Sequence, residues 1–208
     1  MKRALVFGGA FNPPTRAHIE LADYARRSVG FDYVIFVPTK KVYIREDQGK
    51  DFAFDDQTRL DMLGRIASSK EWMQVSDYEI CAGKQPRTYE TLCRLKETTG
   101  MELKLLFGSD KLEELQTGWK YVDGIMREFG VVCMVRNNDR AEELIENDAY
   151  LKSLSPYITV VATPEKYQST SSTEVRKEIV RYQEIKCHLE QMVPEELEGL
   201  KDYIGGKL

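Results

Sequence analysis

The sequence predicts an α/β fold in which a mainly parallel β-sheet is flanked by helices. Two observations support this prediction. Short apolar runs rich in Val, Ile, Leu and Phe recur along the chain without alternating with polar residues, which is typical of strands covered on both faces. Segments with helical periodicity lie between these runs, and strands that alternate with helices favour parallel pairing through right-handed crossovers.

The first quarter of the chain contains two predicted strands, "ALVFG" (4–8) and "YVIFVP" (33–38). A helix is indicated between them, over 15–29, because four apolar residues fall on one face: Leu21, Ala22, Ala25 and Val29. The segment 39–54, "TKKVYIREDQGKDFAF", has no clear period. We expect a long irregular loop there, and such loops are usually functional or disordered.

The middle of the chain continues the alternation. A helix is predicted over 56–67, where the apolar face consists of Leu60, Leu63, Ile66 and Ala67. "MQVSDYEI" (73–80) alternates more than the other runs and is predicted to be an edge strand. Leu92 and Leu95 hold the apolar side of a helix over 88–99, which precedes the strand "LKLLFG" (103–108).

The remaining elements follow the same rules. Ser109 and Asp110 open "SDKLEEL" (109–115) and suit a helix N-cap. Strands are predicted at 130–136 and 158–163. The last two helices are predicted at 171–182, which begins with Ser-Ser-Thr-Glu, and at 194–204, which begins with proline.

The length of 208 residues fits one domain, since domains usually contain about 50–250 residues. We therefore expect a Rossmann-like, doubly wound sheet in a single domain spanning 1–208. Its C-terminal helical segment, at about 184–208, carries the stripe Leu197, Leu200 and Ile204, which is either core or a contact in a homo-oligomer.

Composition excludes several classes of protein. The formal net charge is −4 without a strongly basic block, which argues against nucleic acid as a partner. No apolar run approaches the roughly 20 residues that span a membrane. The four cysteines are widely spaced and form no Cys-x-x-Cys pair, which favours a reducing, cytoplasmic location.

The unusual polar residues follow the predicted strands, where open parallel sheets bind ligands. The clearest case is "GGAFNPPTRAH" (8–18). Gly8 and Gly9 would let a ligand approach the backbone closely, and two prolines stiffen the turn. Thr15 and His18 lie at a helix start, where free N–H groups and the dipole favour an anion. We therefore predict a phosphate site here; a tight turn with a surface histidine is the alternative.

This stretch resembles the signature of the HxGH-type nucleotidyltransferase superfamily in its Thr-x-x-His form, and "SSTEVR" (171–176) resembles that superfamily's second signature. "LLFGSDKLEEL" with Trp119, and "TYETLCRLK" (88–96), are similar to segments of nicotinate and nicotinamide mononucleotide adenylyltransferases. The first signature departs from the His-x-Gly-His form, because Thr15 replaces a histidine and Ala17 a glycine. Asn12 stands where bacterial members commonly have aspartate.

The resemblance implies a role for each matching residue. Thr15, His18 and Arg176 would be catalytic contacts to the ATP phosphates. The remaining ATP contacts would be Gly8, Gly9, Ala10, Phe11, Gly108, Asp110, Ser171, Ser172 and Thr173. The mononucleotide would contact Thr88, Trp119, Arg45 and Arg136. Two simpler interpretations stay open: Trp119 as a core residue, and Lys40, Lys41 and Arg45 as a solvated face.

The implied reaction is adenylyl transfer from ATP to nicotinate or nicotinamide mononucleotide in NAD biosynthesis, with release of pyrophosphate. An ionised phosphate needs no general base, so catalysis would rest on positioning and charge stabilisation. Mg²⁺ is expected on the ATP phosphates rather than on a protein metal site. Two alternatives remain: an adenylyl- or cytidylyltransferase acting on another phosphorylated substrate, and a nucleotide sensor without turnover.

Overall fold

A computed structural model describes residues 1–46, 53–135 and 140–164 of the chain. Its strands are β1 (Arg3–Gly9), β2 (Tyr33–Pro38), β3 (Met73–Val75), β4 (Glu102–Gly108), β5 (Val131–Val135) and β6 (Ile158–Ala162). Its helices are α1 (Arg16–Ser28), α2 (Lys41–Glu46), α3 (Asp56–Ala67), α4 (Tyr78–Cys81), α5 (Thr88–Thr99), α6 (Glu114–Thr117), α7 (Val122–Glu128), α8 (Ala141–Asn147) and α9 (Ala149–Leu154). Two 3₁₀ turns complete the list, Ser109–Lys111 and Ser155–Tyr157.

The six strands form one sheet in the order β3-β2-β1-β4-β5-β6. β4 pairs in parallel with β1 and with β5, and β5 pairs in parallel with β6. This is the strand order of doubly wound Rossmann sheets, in which the direction of winding reverses between β1 and β4. The predicted α/β architecture is therefore confirmed.

The chain divides into two compact units. The first unit contains Met1–Gly8, Ala22–Ile35 and the described residues of Pro86–Gln168. The second unit contains Gly9–Leu21 and the described residues of Phe36–Gln85.

The core of the first unit is formed in large part by side chains of its strands. Val131, Val132, Cys133 and Met134 of β5 are fully buried, as a strand covered on both faces requires. α5 packs Leu92 and Leu95 inward and ends at Gly100, whose φ of 64° is the left-handed conformation that favours glycine. The predicted bounds of this helix are confirmed.

The core of the second unit is built around Phe36 of β2 and α3. α3 covers the predicted range and buries Met62, Leu63 and Ile66. Asp55 caps it, since its side chain accepts a hydrogen bond from the Thr58 N–H at 2.8 Å.

Three local predictions were wrong in part. β3 is the expected edge strand but ends at Val75, and the helix α4 occupies 78–81. The segment 39–54 contains α2 rather than only irregular chain. The segment 109–115 contains the 3₁₀ turn Ser109–Lys111 and the start of α6, and the N-cap of the turn is Gly108 rather than Ser109. The predicted helices at 171–182 and 194–204 lie outside the described residues.

Candidate functional site

The loop after β1 takes an unusual path in the second unit. Phe11 has a φ of 42°, in the left-handed region that non-glycine residues seldom adopt, and the Asn12–Pro13 peptide bond is cis. The Phe11 ring is buried and lies directly over Gly9, where an added Cβ would be 3.2 Å from the ring. A side chain at position 9 would therefore need the Phe11 ring to shift by a few tenths of an ångström.

A buried arginine that the sequence did not single out holds this loop. Arg59 of α3 is fully buried, and its guanidinium donates to the Ala10 carbonyl at 2.8 Å and to the Phe54 carbonyl at 3.3 Å. It also forms an ion pair with Asp56. Burial lowers the pKa of Arg59, and the carboxylate of Asp56 opposes that shift.

Asn12 supplies a second anchor for the loop. Its side chain is fully buried, and its Oδ1 accepts a hydrogen bond from the Phe54 N–H at 2.9 Å. Phe54, just before α3, thus binds the turn directly through Asn12. Arg59 links the Phe54 carbonyl to the Ala10 carbonyl of the turn. The turn is fixed by polar contacts as well as by its prolines.

The helix α1 begins directly after this turn. Thr15 precedes its first residue, and the Thr15 carbonyl accepts the first helical hydrogen bond, from the Ile19 N–H at 3.3 Å. The imidazole of His18 turns back toward Thr15, so that His18 Nδ1 lies 3.0 Å from the Thr15 N–H and 2.8 Å from the Thr15 hydroxyl. Thr15 is fully buried, whereas His18 is half-buried. The structure thus brings these two predicted residues together.

An aromatic contact also orients the imidazole. The Phe11 ring meets the His18 ring edge to face, with centroids 5.3 Å apart. Phe11 also packs against Phe36, with ring centroids 5.4 Å apart. Such ring pairs favour one relative orientation, so the imidazole is positioned by packing and by hydrogen bonds.

Gly8 and Gly108 lie at the carboxyl ends of β1 and β4, in the first unit. Gly8 is exposed, and an added Cβ there would meet nothing within 4 Å, so its backbone is open to close approach. Asp110 follows β4 and folds back over Gly108, with its Oδ1 2.5 Å from the position that a Gly108 Cβ would take. The structure places Gly108 and Asp110 side by side, and Asp110 is exposed.

Trp119 and Thr88 also lie in the first unit. Trp119 is half-buried and packs on Phe107, with ring centroids 5.9 Å apart. It is thus in part a packing residue, as the simpler interpretation expected. Thr88 is the first residue of α5, where backbone N–H groups have no partner within the helix.

The other predicted site residues are less informative. Arg45 lies in α2. Five lie outside the described residues: Arg136, Ser171, Ser172, Thr173 and Arg176.

Over 1–46, 53–135 and 140–164, no group of three or more His, Cys, Asp or Glu side chains could hold a metal ion. In the same part of the chain, no helix is both long and apolar enough to cross a membrane.

The sheet order and the histidine at the start of α1 define a Rossmann-like α/β protein with a candidate anion site. Residues 6–178 match the family model described as cytidylyltransferase-like. A protein of one Dehalococcoides mccartyi strain, named "probable nicotinate-nucleotide adenylyltransferase", is 31% identical over 91% of this chain and 89% of its own. One of the same name from Clostridium botulinum is 30% identical over 86% of each chain.

A solved structure shares the fold. Plasmodium falciparum nicotinic acid mononucleotide adenylyltransferase complexed with NaAD has a TM-score of 0.74 and 17% identity, covering 100% of this chain and 99% of its own. The chain belongs to the cytidylyltransferase-like family and, within it, to the nicotinate-nucleotide adenylyltransferases, which are nucleotidyltransferases.

Proposed function

We propose that the protein transfers the adenylyl group of ATP to nicotinate mononucleotide, giving the dinucleotide of NAD biosynthesis and pyrophosphate. The observation that carries this proposal is the His18 imidazole, held in the first turn of α1 by Thr15 and Phe11. The names of the relatives favour nicotinate over nicotinamide mononucleotide as the acceptor.

The reaction needs positioning more than proton transfer. A phosphate oxygen of the mononucleotide forms a bond to the α-phosphorus of ATP, the bond from that phosphorus to the α,β-bridging oxygen breaks, and pyrophosphate leaves with the electron pair. The nucleophile is already ionised, so no general base is required. Negative charge grows on the leaving group, and a preorganised donor there stabilises the transition state more than the ground state.

His18 is the proposed donor in this scheme. It lies at the N-terminal end of a 13-residue helix that has no acidic residue in its first turn, so the positive end of the helix dipole is not neutralised locally. An anion bound there would meet the imidazole at the positive end of the helix dipole. We propose Arg176 and the segment Ser171–Thr173 as further donors to the triphosphate, on the strength of the second signature.

Gly8, Gly108 and Asp110 are proposed to face the adenosine, and Thr88 and Trp119 the pyridine ring. Arg45 and Arg136 are proposed to contact the phosphate of the mononucleotide. Mg²⁺ is proposed to accompany ATP, bound by phosphate and water oxygens, and would neutralise charge on the triphosphate. The donors proposed here are hydroxyl, imidazole, guanidinium and N–H groups, which complement such a complex rather than compete for the metal ion.

We also propose a cytoplasmic location. The three described cysteines, Cys81, Cys93 and Cys133, form no disulfide bond with one another, which fits a reducing compartment.

The proposal is tested by pyrophosphate release from a panel of substrate pairs. ATP with nicotinate mononucleotide should be the best pair, ahead of nicotinamide mononucleotide, phosphopantetheine and all pairs with CTP. Turnover confined to another acceptor or to CTP would favour a different transferase of the same family. Nucleotide binding without pyrophosphate from any pair would favour a sensor.

The role of His18 is tested by His18→Ala. Loss of one preorganised donor typically lowers kcat by about 10²–10³-fold, so we expect a loss of this size with a smaller change in the KM for ATP. Arg27→Ala, at the exposed C-terminal end of the same helix, is the matched control and should keep wild-type kinetics. Full activity of a folded His18→Ala variant would remove the imidazole from the mechanism.

A further inference from the structure

Thr15 and His18 form a reciprocal cap at the start of α1. The Thr15 N–H donates to His18 Nδ1 at 3.0 Å, and the His18 N–H donates to the Thr15 hydroxyl at 3.4 Å. This is the pattern of a capping box, in which a Ser or Thr N-cap and the side chain three residues later satisfy each other's backbone N–H groups. The usual Glu or Gln is replaced here by an imidazole.

This cap determines where the imidazole carries its proton. A backbone N–H can only donate, so the Nδ1 atom opposite Thr15 must present its lone pair. The Thr15 hydroxyl, which accepts from the His18 N–H, lies 2.8 Å from Nδ1 and can donate its own proton to that lone pair. A proton on Nδ1 would face the Thr15 N–H, which cannot accept it, at hydrogen-bond distance. In a neutral imidazole the proton then resides on Nε2.

We infer that Thr15 is a positioning residue that holds His18 as the Nε2–H tautomer. Thr15 is fully buried and its hydroxyl is committed to His18, so it acts through the imidazole. This differs from the direct phosphate contact that the family resemblance implies for Thr15. The tautomer itself does not depend on the proposed function; only the use of Nε2–H as a phosphate donor rests on that proposal.

The tautomer is measured by ¹⁵N NMR of protein labelled at histidine, with His188→Gln leaving a single imidazole in the spectrum. The spectrum is recorded at a pH where that imidazole is neutral. We expect a pyridine-like Nδ1 and a pyrrole-like Nε2 in the protein without substrate. A protonated Nδ1, or rapid averaging of the two tautomers, would overturn the inference.

The role of the hydroxyl is measured with Thr15→Val and Thr15→Ser. Valine keeps the shape and the backbone N–H but removes one donor to Nδ1. We expect a smaller fraction of the Nε2–H tautomer and a fall in kcat of about tenfold, the factor that one hydrogen bond provides, with the KM for ATP nearly unchanged. Thr15→Ser should keep both the fraction of the Nε2–H tautomer and kcat near their wild-type values. A rise in the KM for ATP with an unchanged ¹⁵N spectrum would show direct phosphate contact and refute the positioning role.

These outcomes separate the inference from the proposed function. An Nε2–H imidazole in a protein that releases no pyrophosphate would uphold the tautomer and overturn the activity. Pyrophosphate release by a protein with protonated Nδ1 would uphold the activity and overturn the tautomer. If Thr15→Val does not fold, the wild-type spectrum still decides the tautomer, and Thr15→Ala provides the second kinetic comparison.

Discussion

Replacement of Arg59 by methionine should destabilise the protein by about 3 kcal/mol. Methionine fills most of the same space, so the cost comes from lost hydrogen bonds. The carbonyls of Ala10 and Phe54 each lose the hydrogen bond from the guanidinium, and loss of the donor to a buried acceptor costs about 1–3 kcal/mol. Removal of one partner of a buried ion pair costs about 3–5 kcal/mol.

Two features place the expected value at the lower end of that range. Asp56 keeps a hydrogen bond from the Lys41 N–H at 2.7 Å, and its side chain is 33% exposed, so water can replace the guanidinium. The variant also avoids the cost of burying a charge. For a chain of this size each kcal/mol shifts the Tm by about 2–4 °C, so the expected decrease is about 6–12 °C.

The assay is urea unfolding followed by circular dichroism, together with a thermal melt. Arg65→Met, an exposed position on the same helix, is the matched control and should stay within about 0.5 kcal/mol of wild type. Arg59→Lys should fall between the two, because an ammonium cannot serve three acceptors with the geometry of the guanidinium. If the free energy of unfolding of Arg59→Met lies within about 1 kcal/mol of the wild-type value, Arg59 is not an anchor of the loop.

Three further changes have expected outcomes. Trp119→Ala should raise the KM for the mononucleotide several-fold and leave that for ATP nearly unchanged, since aromatic stacking contributes about 0.5–1.5 kcal/mol beyond burial; equal changes in both values would make Trp119 a packing residue only. Arg176→Lys should lose much of the activity in steady-state kinetics, because lysine lacks the planar fork that binds phosphate in two places; wild-type kinetics would place Arg176 outside the site. Asp55→Ala should lower the free energy of unfolding by about 1 kcal/mol and Asp55→Asn by less, and equal stability of wild type and the alanine variant in urea would contradict its role as N-cap.

Five strands were predictable because they are rich in apolar residues, and most of them are buried at their centres. The structure confirms β1, β2, β4, β5 and β6 to within a few residues, although β6 buries only Val161. β3 was harder, since its Met-Gln-Val is followed by polar residues that fit a strand or a helix equally well. At such positions tertiary packing determines whether the chain forms a strand or a helix, and a short local pattern does not.

The anchors of the loop were not predictable in the same way. The pattern placed Leu60 on the buried face of α3, but Leu60 is only half-buried and its neighbour Arg59 is fully buried. Charged residues are seldom buried without partners, and the partners of Arg59 include two main-chain carbonyls that no sequence pattern marks. The pairing of Thr15 with His18 was more predictable from the sequence. A hydroxyl residue followed three positions later by a hydrogen-bonding side chain has the spacing of a capping box.

The rings of Phe36, Phe11 and His18 pack in series, with Phe11 in contact with the other two. This packing is expected to limit the substitutions that these positions accept. Phe36 is fully buried, and the Phe11 ring contacts both Phe36 and the imidazole. Protein interiors are close-packed, so we expect a change of volume at Phe36 to shift Phe11 and, through it, the imidazole. Position 36 is therefore expected to tolerate few changes of volume, although its side chain contributes only carbon. Changes there should persist in evolution when a compensating change at position 11 accompanies them.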